Sequence, residues 1–194
     1  MQATLGPSPA GASDDDGKAA GAPADLATLF EAHAAWAGRT LRCLGVPESE
    51  LADAIQEVFL VVHRRLDTFE GRSSHRTWIY AICLRVALAH RRRGARRREH
   101  EREGAAAVAE AQAATTPHDE VERLRALALA LEILDGLDDP KRAVFVLYEV
   151  EQVAMPEIAR MVGCPVQTAY TRLYAARAEV KRALARMRAR GRTT

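Results

Sequence analysis

The side chains with the most defined chemistry lie near the C-terminal end of the sequence, on the outward positions of a predicted helix. Almost all of them donate or accept hydrogen bonds. Such groups can pair with base edges in a major groove, and the cations among them can pair with phosphates. The set comprises Gln167, Thr168, Tyr170, Thr171, Arg172, Arg177 and Lys181. We therefore predict that this helix reads duplex DNA.

Two short helices joined by a turn, within residues 154 to 177, are predicted to position these side chains. Gly163 can end the first helix in the left-handed conformation, and Pro165 suits the start of the second. The inward positions are small or aliphatic, namely Ile158, Ala159, Val162, Val166, Ala169 and Leu173. This pattern is typical of a helix-turn-helix, and it predicts that nothing apolar faces solvent.

The distribution of charge supports a nucleic-acid partner, although the net charge is only +2. Residues 76 to 98 contain eight arginines and no carboxylate, and residues 172 to 192 contain eight basic residues and one acid. Between them, residues 99 to 122 contain seven acids and one arginine. The chain therefore has two cationic blocks, each of the kind that neutralises phosphates.

An all-α fold with two small helical domains is predicted, because the apolar fraction is 48% and the aromatic fraction only 5%. Residues 1 to 24 have too few large apolar groups to order and form a predicted disordered tail. The first domain is predicted over residues 25 to 98, a flexible linker over 99 to 120, and the second domain over 121 to 190. We expect two compact units, each with its own cationic surface, spaced by a slack tether.

Capping residues and apolar periodicity set the predicted helix boundaries. Ser49 is predicted to cap the second helix, a third helix to begin near Thr77, and Asp138 with Pro140 to begin the helix before the helix-turn-helix. A further apolar stripe is predicted to face the second core, at Val121, Leu124, Leu127, Leu131, Leu134 and Leu137.

An enzyme is not indicated. Cys43, Cys83 and Cys164 are widely spaced and are predicted to be buried small hydrophobes, and the six histidines are scattered. No Gly-rich phosphate loop, HExxH or nucleophile elbow occurs, so we expect no cofactor and no metal site. A signal peptide and a membrane span are also missing from the sequence, so we expect a cytoplasmic protein and no membrane partner.

Several motifs, in order, resemble the extracytoplasmic-function class of bacterial RNA polymerase sigma factors over about residues 25 to 185. Residues 53 to 59 read Asp-Ala-Ile-Gln-Glu-Val-Phe, close to the family's DLVQEVF. Phe-Glu-Gly at 69 to 71 and Thr-Trp-Ile-Tyr-Ala-Ile at 77 to 82 match F-x-G and TWLYRI. Four segments of the second domain also follow the family's order and spacing, at 133 to 137, 142 to 147, 157 to 159 and 168 to 173.

The resemblance implies a sigma region 2-like domain that binds core polymerase and captures the melted minus-10 strand. It implies that a face of the second helix docks on the clamp helices of the largest subunit, through Asp53, Gln56, Glu57 and Phe59. The loop and helix that follow offer donors, stacking planes and phosphate contacts for the extruded strand. The candidates there are Arg72, Ser73, Ser74, His75, Arg76, Trp78, Arg85, Arg91 and Arg92.

The second domain then corresponds to a sigma region 4-like helix-turn-helix that reads the minus-35 element and meets the polymerase flap. Four positions depart from the family pattern and indicate an unusual promoter preference. They are Arg85 in place of Asn, Ala89 in place of Asp, Gln167 in place of Gly, and Tyr170 in place of Lys or Arg.

Alternative interpretations remain at this stage. The chain could be a conventional helix-turn-helix regulator that binds an operator, although such a protein needs neither the linker nor the arginine block. The Asp53 face could be merely solvated, Trp78 could belong to the core, and His90 has no assigned role. The family is commonly held inactive by an anti-sigma partner that covers both domains, so the resemblance adds that partner, although no residue indicates it.

Overall fold

The computed structural model describes residues 25 to 102 and 118 to 191. The predicted tail at residues 1 to 24 and most of the predicted linker, residues 103 to 117, lie outside the described residues. The described part is all-α, without a strand, and has seven α-helices: α1 Leu26–Cys43, α2 Leu51–Arg65, α3 His75–Arg102, α4 His118–Asp135, α5 Asp139–Phe145, α6 Met155–Val162 and α7 Val166–Gly191.

The first unit is a three-helix bundle of α1, α2 and the N-terminal half of α3. Asp25 begins it, because its Oδ1 accepts the Thr28 N–H at 2.7 Å and so satisfies one of the free donors of α1. Aliphatic residues from each helix face inward, and the fully buried ones include Leu41, Val58, Val62, Ile79 and Cys83. This packing fixes the faces that α2 and α3 present outward.

Two predicted helix starts differ from the structure. Ser49 lies inside a 3₁₀ turn, Glu48–Glu50, and α2 begins after it without a side-chain cap, so the predicted cap is wrong. Ser74 instead acts as a cap, since its Oγ accepts the Thr77 N–H at 3.1 Å. The third helix consequently begins at His75, two residues before the predicted start.

The second unit contains the end of α4 together with α5, α6 and α7. The predicted cap of α5 is confirmed: the Asp138 side chain accepts the Lys141 N–H at 2.9 Å, and Pro140 lies in the first turn. A π-helical turn, Val146–Val150, follows directly. The core of the second unit is aliphatic and includes Val144, Val146, Leu147, Ile158, Ala169 and Leu173.

Only the end of the predicted apolar stripe on α4 reaches this core. Leu134 and Leu137 are buried, whereas Leu124 and Leu127 are exposed. The prediction is wrong for the N-terminal half of α4, because that half extends beyond the helices that could cover it. Among the described residues, no helix is both long and apolar enough to cross a membrane.

The two units, whose connecting segment lies mostly outside the described residues, pack against each other. Their buried residues form one continuous cluster. Arg142 of α5 is 1% exposed, and its Nε donates to the carbonyl of Cys43 at 2.7 Å. Because that carbonyl is one of the free acceptors at the end of α1, Arg142 caps a helix of the other unit.

Candidate nucleic-acid interfaces

The predicted helix-turn-helix is formed by α6 and the start of α7. Gly163 ends α6 in the left-handed conformation (φ 66°, ψ 42°), and the Cys164 N–H bonds to the Ala159 carbonyl at 3.0 Å. Ile158, Ala169 and Leu173 are buried where the two helices cross. This geometry turns the first two turns of α7 away from the core.

The outward face of α7 contains most of the predicted base-reading groups. Gln167 and Thr171 are exposed, while Thr168, Tyr170 and Arg172 are half-buried. The Thr171 hydroxyl donates to the Gln167 carbonyl at 3.0 Å, and the rings of Tyr170 and Tyr174 stack at 6.2 Å. These side chains therefore form one continuous polar and aromatic surface.

One detail of this face differs from the prediction. Val166 is 40% exposed rather than inward, because it is the first residue of α7 and lies beyond the crossing point. The expectation that nothing apolar faces solvent is therefore wrong for this part of the chain.

Arg177 and Lys181, the predicted phosphate contacts, lie one and two turns further along α7. The Arg177 Nε bonds to Glu149 at 2.6 Å, and its guanidinium lies 5.4 Å from the centre of the Tyr148 ring. Lys181 is exposed. Arg177 is thus held by the turn before α6, so that a phosphate would compete with Glu149.

The loop before α3 and the first turns of that helix bring aromatic residues together. The Phe69 ring lies 4.5 Å from His75 and 5.0 Å from Trp78. His75 and Trp78 are half-buried. Partial burial of Trp78 is compatible with a place in the core and with stacking on a base. Phe69 is part of this aromatic cluster and was not assigned to it from the sequence, although its F-x-G motif was visible.

Polar residues surround this aromatic cluster. Gly71 adopts a positive φ of 65° with open space around it. Ser74 is occupied as the cap of α3, the Ser73 hydroxyl lies 3.4 Å from the Ser74 carbonyl, and exposed Arg72 pairs with Glu70. The loop therefore presents small donors beside stacking planes.

The predicted arginines of α3 divide into two groups. Arg85 and Arg92 are exposed. Arg76, which is also exposed, and Arg91 meet carboxylates of the second unit: Arg76 Nη2 lies 3.2 Å from Glu151, and Arg91 Nε lies 2.6 Å from Asp139. Two of the predicted minus-10 cations therefore face the interface between the units.

The face of α2 predicted for polymerase is only partly accessible. Asp53 and Gln56 are exposed, whereas Glu57 pairs with Arg93 at 3.1 Å. Phe59 is 5% exposed and packs edge-to-face on Phe30 at 4.8 Å. Phe59 therefore offers little surface to a partner in this structure, because its ring packs in the core.

Exposed apolar groups lie beside this face and were missed by periodicity. Leu60 and Phe30 are both exposed, and the Phe30 ring rests on Phe59. His90, which the sequence left open, is buried between two acids, 2.8 Å from Glu50 and 3.4 Å from Glu57. His90 thus ties α3 to the side of α2 that bears Glu57.

Desolvation is the main cause of the pKa shifts of the buried titratable groups. Burial raises the pKa of Cys83, and it also raises the pKa of half-buried Cys43, so both remain thiols. Burial, reinforced by Glu151, places the pKa of Tyr80 well above its ordinary value. Desolvation lowers the pKa of Arg142, against the opposing effect of its bond to Asp135. Nothing in these shifts indicates an activated nucleophile.

Comparison with known protein families gives two matches that together span more than half of the chain. Residues 29 to 97 match sigma-70 region 2, and residues 127 to 180 match sigma-70 region 4. The RNA polymerase sigma factor NccH of Alcaligenes xylosoxydans xylosoxydans is 27% identical over 153 residues, 78% of this chain and 82% of the relative. The ECF RNA polymerase sigma-E factor of Haemophilus influenzae is 24% identical over 138 residues, 68% of this chain and 73% of the relative.

Solved structures agree on the fold. CnrH in complex with the cytosolic domain of CnrY has a TM-score of 0.60 at 23% identity, covering 82% of this chain and 87% of that one. The sigma factor RpoE of Bartonella quintana, solved with the anti-sigma factor NepR, has a TM-score of 0.62 at 18% identity, covering 83% and 97%. With both conserved regions matched in order, the chain belongs to the extracytoplasmic-function class of the sigma-70 family.

Proposed function

We propose that the chain directs core RNA polymerase to a two-part promoter, working beside polymerase in the cytoplasm without chemistry of its own. Its α7 reads the minus-35 element as duplex, and the loop before α3 captures the melted minus-10 strand. The observation that carries this proposal is the pairing of two different surfaces in one chain. One is a helix face of polar groups behind a left-handed glycine, and the other is an aromatic cluster among small donors.

The α7 surface suits duplex readout because its exposed groups project from the first turns of the helix. Gln167 can form a bidentate contact with adenine, and Arg172 with guanine. Lys181, further along the exposed side, fits the phosphate backbone. We keep Thr168, Tyr170, Thr171 and Arg177 as further proposed contacts, with Arg177 released from Glu149 on binding.

The aromatic cluster suits an unpaired strand rather than a duplex. Phe69, His75 and Trp78 offer ring faces, which stack on any base, and the serines beside them offer donors of small size. Arg72, Arg85 and Arg92 lie exposed around the same helix and loop and can neutralise the strand's phosphates.

We propose that Asp53 and Gln56 contact core polymerase. Leu60 and Phe30 form an apolar surface beside them, and Glu57 lies at the edge of this contact. Exposed carboxylates there can pair with basic residues of the clamp helices, while the apolar side chains bury area. Phe59 supports this surface from beneath. The flap of polymerase remains the proposed contact of the second unit, and an anti-sigma factor remains a proposed partner.

Run-off transcription with purified core polymerase tests the proposal directly. Core alone and core with this chain are compared on a library of promoter sequences. We expect initiation only with the chain present, at templates that share a two-part motif. Tight binding to one operator without any requirement for polymerase would instead support a conventional helix-turn-helix regulator.

A further inference from the structure

We infer that Glu151 is a latch that holds the second unit against the first and pairs with Arg76, so that in the free chain DNA must compete with a carboxylate for this cation. The inference rests on the proposed function, because the resemblance to sigma factors makes Arg76 one of the candidate contacts of the minus-10 strand. It adds a state in which the same chain does not present that surface.

The latch is a buried carboxylate whose donors belong to the other unit. The Glu151 side chain is 5% exposed. It accepts from Trp36 Nε1 at 2.6 Å, from Thr40 Oγ1 at 2.9 Å and from Arg76 Nη2 at 3.2 Å. Because each of these donors lies on α1 or α3, separating the units would exchange all three bonds for water.

Arg76 is held on two sides at this point. Its guanidinium pairs with Glu151 and also lies 5.1 Å from the centre of the Trp36 ring. The Arg76 side chain is still 46% exposed, so a charge-assisted bond and a cation–π contact hold the guanidinium rather than burial. A phosphate that recruits Arg76 must therefore displace both partners.

The backbone around Glu151 is unusual and fixes the carboxylate in place. Glu151 follows the π-helical turn, and its N–H bonds to the Val146 carbonyl at 3.1 Å. The next residue, Gln152, has a φ of 57°, a conformation that non-glycine residues rarely adopt. The Gln152 Nε2 donates back to the Glu149 carbonyl at 2.9 Å. The turn thus aims Glu151 at the first unit.

A second contact zone repeats the same pairing. Arg91 of α3 bonds to Asp139 at 2.6 Å and lies 3.7 Å from Asp135, both acids of the second unit. Asp135 also accepts from buried Arg142 at 2.6 Å. Arg76 and Arg91, both candidates for the minus-10 surface, therefore pair with acids of the second unit at two separate points.

The closed form cannot engage both promoter elements at once. The two elements are separated by about 25 base pairs, on the order of 80 Å along a duplex at the usual axial rise. Units in direct contact cannot span that length. Binding to both elements therefore requires the two units to separate. The latch would act before that step, in the chain that is not yet bound to polymerase and promoter.

Small-angle X-ray scattering of the full-length chain tests the closure. We expect Glu151→Gln to increase the radius of gyration and the maximum dimension relative to wild type. Glu149→Gln is the matched control, because it removes the same charge two residues away but pairs within the second unit. Trp36→Phe removes one donor to Glu151 and keeps an aromatic ring, so it should open the chain as well. Circular dichroism confirms that each variant keeps its helices.

Fluorescence anisotropy with a labelled mixed-sequence single-stranded oligonucleotide tests the effect on Arg76. We expect Glu151→Gln to bind about tenfold more tightly than wild type, a change equivalent to about 1.4 kcal/mol. The gain should vanish in the Arg76→Ala, Glu151→Gln double variant. An open chain without tighter binding would overturn the competition between Glu151 and DNA for Arg76.

These outcomes are separable from those of the transcription experiment. Compact scattering curves for both Glu151→Gln and Trp36→Phe, with wild-type transcription intact, would overturn the latch alone. Opening of both variants in a chain that never supports initiation would leave the latch standing and overturn the proposed function.

Discussion

At the scale of single residues, one sequence pattern conceals different roles. The arginines of α3 look alike in sequence, yet Arg85 and Arg92 face solvent while Arg76 and Arg91 face carboxylates of the other unit. The glutamates at 149 and 151 differ in the same way: Glu149 pairs with Arg177 of its own unit, and Glu151 pairs with Arg76 of the other unit. Role is therefore set by the partner that the fold brings near each charge.

Gln167→Ala and Lys181→Ala should have different effects on minus-35 binding. Loss of a base contact at Gln167 should reduce discrimination at one base pair by about 1–3 kcal/mol. Loss of a phosphate contact at Lys181 should weaken all sequences alike and reduce the salt slope by about 0.9. Electrophoretic mobility shifts on duplex variants at several salt concentrations measure both. Equal loss on every sequence for Gln167→Ala would contradict its reading role.

Asp138→Ala should destabilise the second unit by about 1 kcal/mol at neutral pH, the usual contribution of an N-cap. Burial acts to raise the pKa of Asp138, but its bonds to Lys141 outweigh burial and lower it. A lowered folded-state pKa means that the stabilisation is present above about pH 3.9, the unfolded value, and is lost as the pH falls through the folded value. Urea unfolding of both proteins from pH 7 to pH 3 should therefore converge at the acidic end.

At the scale of elements, the turn of the helix-turn-helix depends on a single glycine. Gly163→Ala introduces no clash, since nothing lies within 4 Å of the added carbon, but it places alanine at a φ of 66°. The cost should be about 1–2 kcal/mol. Gly94→Ala, inside α3 with equally open space, should stabilise by about 0.5–1 kcal/mol. Thermal unfolding compares the two, and changes of the same sign would contradict this account.

Local chemistry explains which elements could be predicted. The Asp138 cap, the Gly163 turn and the buried Ile158 and Leu173 follow from residue type and spacing within one helical hairpin, so sequence was sufficient. The region 2 and region 4 assignment followed from motif order. The polar faces of α2 and α7 were likewise predictable as surfaces, while their contacts with partners stay predictions.

Errors arose where the packing of neighbouring helices decides how much of a side chain stays exposed. Phe59 and Leu60 are adjacent apolar residues, and only the packing of α1 decides that the first is buried and the second exposed. The prediction for Val166 was wrong for a related reason: the first residue of α7 can lie outside the point where α6 and α7 cross. The Glu151 site was missed because its donors are more than 70 residues away in sequence, although Trp36 and Thr40 at one helical turn hinted at a buried polar partner.

At the scale of the whole molecule, the continuous core predicts cooperative unfolding. Calorimetry of wild type should show one transition, because the two units share buried surface. The Arg142→Ala, Glu151→Gln double variant removes a cross-unit anchor at each contact zone and should show two transitions, one for each bundle. A single transition in the double variant would mean that apolar packing alone couples the units.

Closure has a consequence for how the protein travels through a cell. Chromosomal DNA offers a vast excess of sites that attract any exposed cluster of arginines without regard to sequence. Arg76 and Arg91 are paired with the chain's own acids. We therefore expect that polyanion to retain the closed chain less strongly than an open one. The interface between the two units would then shorten the search for polymerase, in addition to delaying promoter engagement until the enzyme has been found.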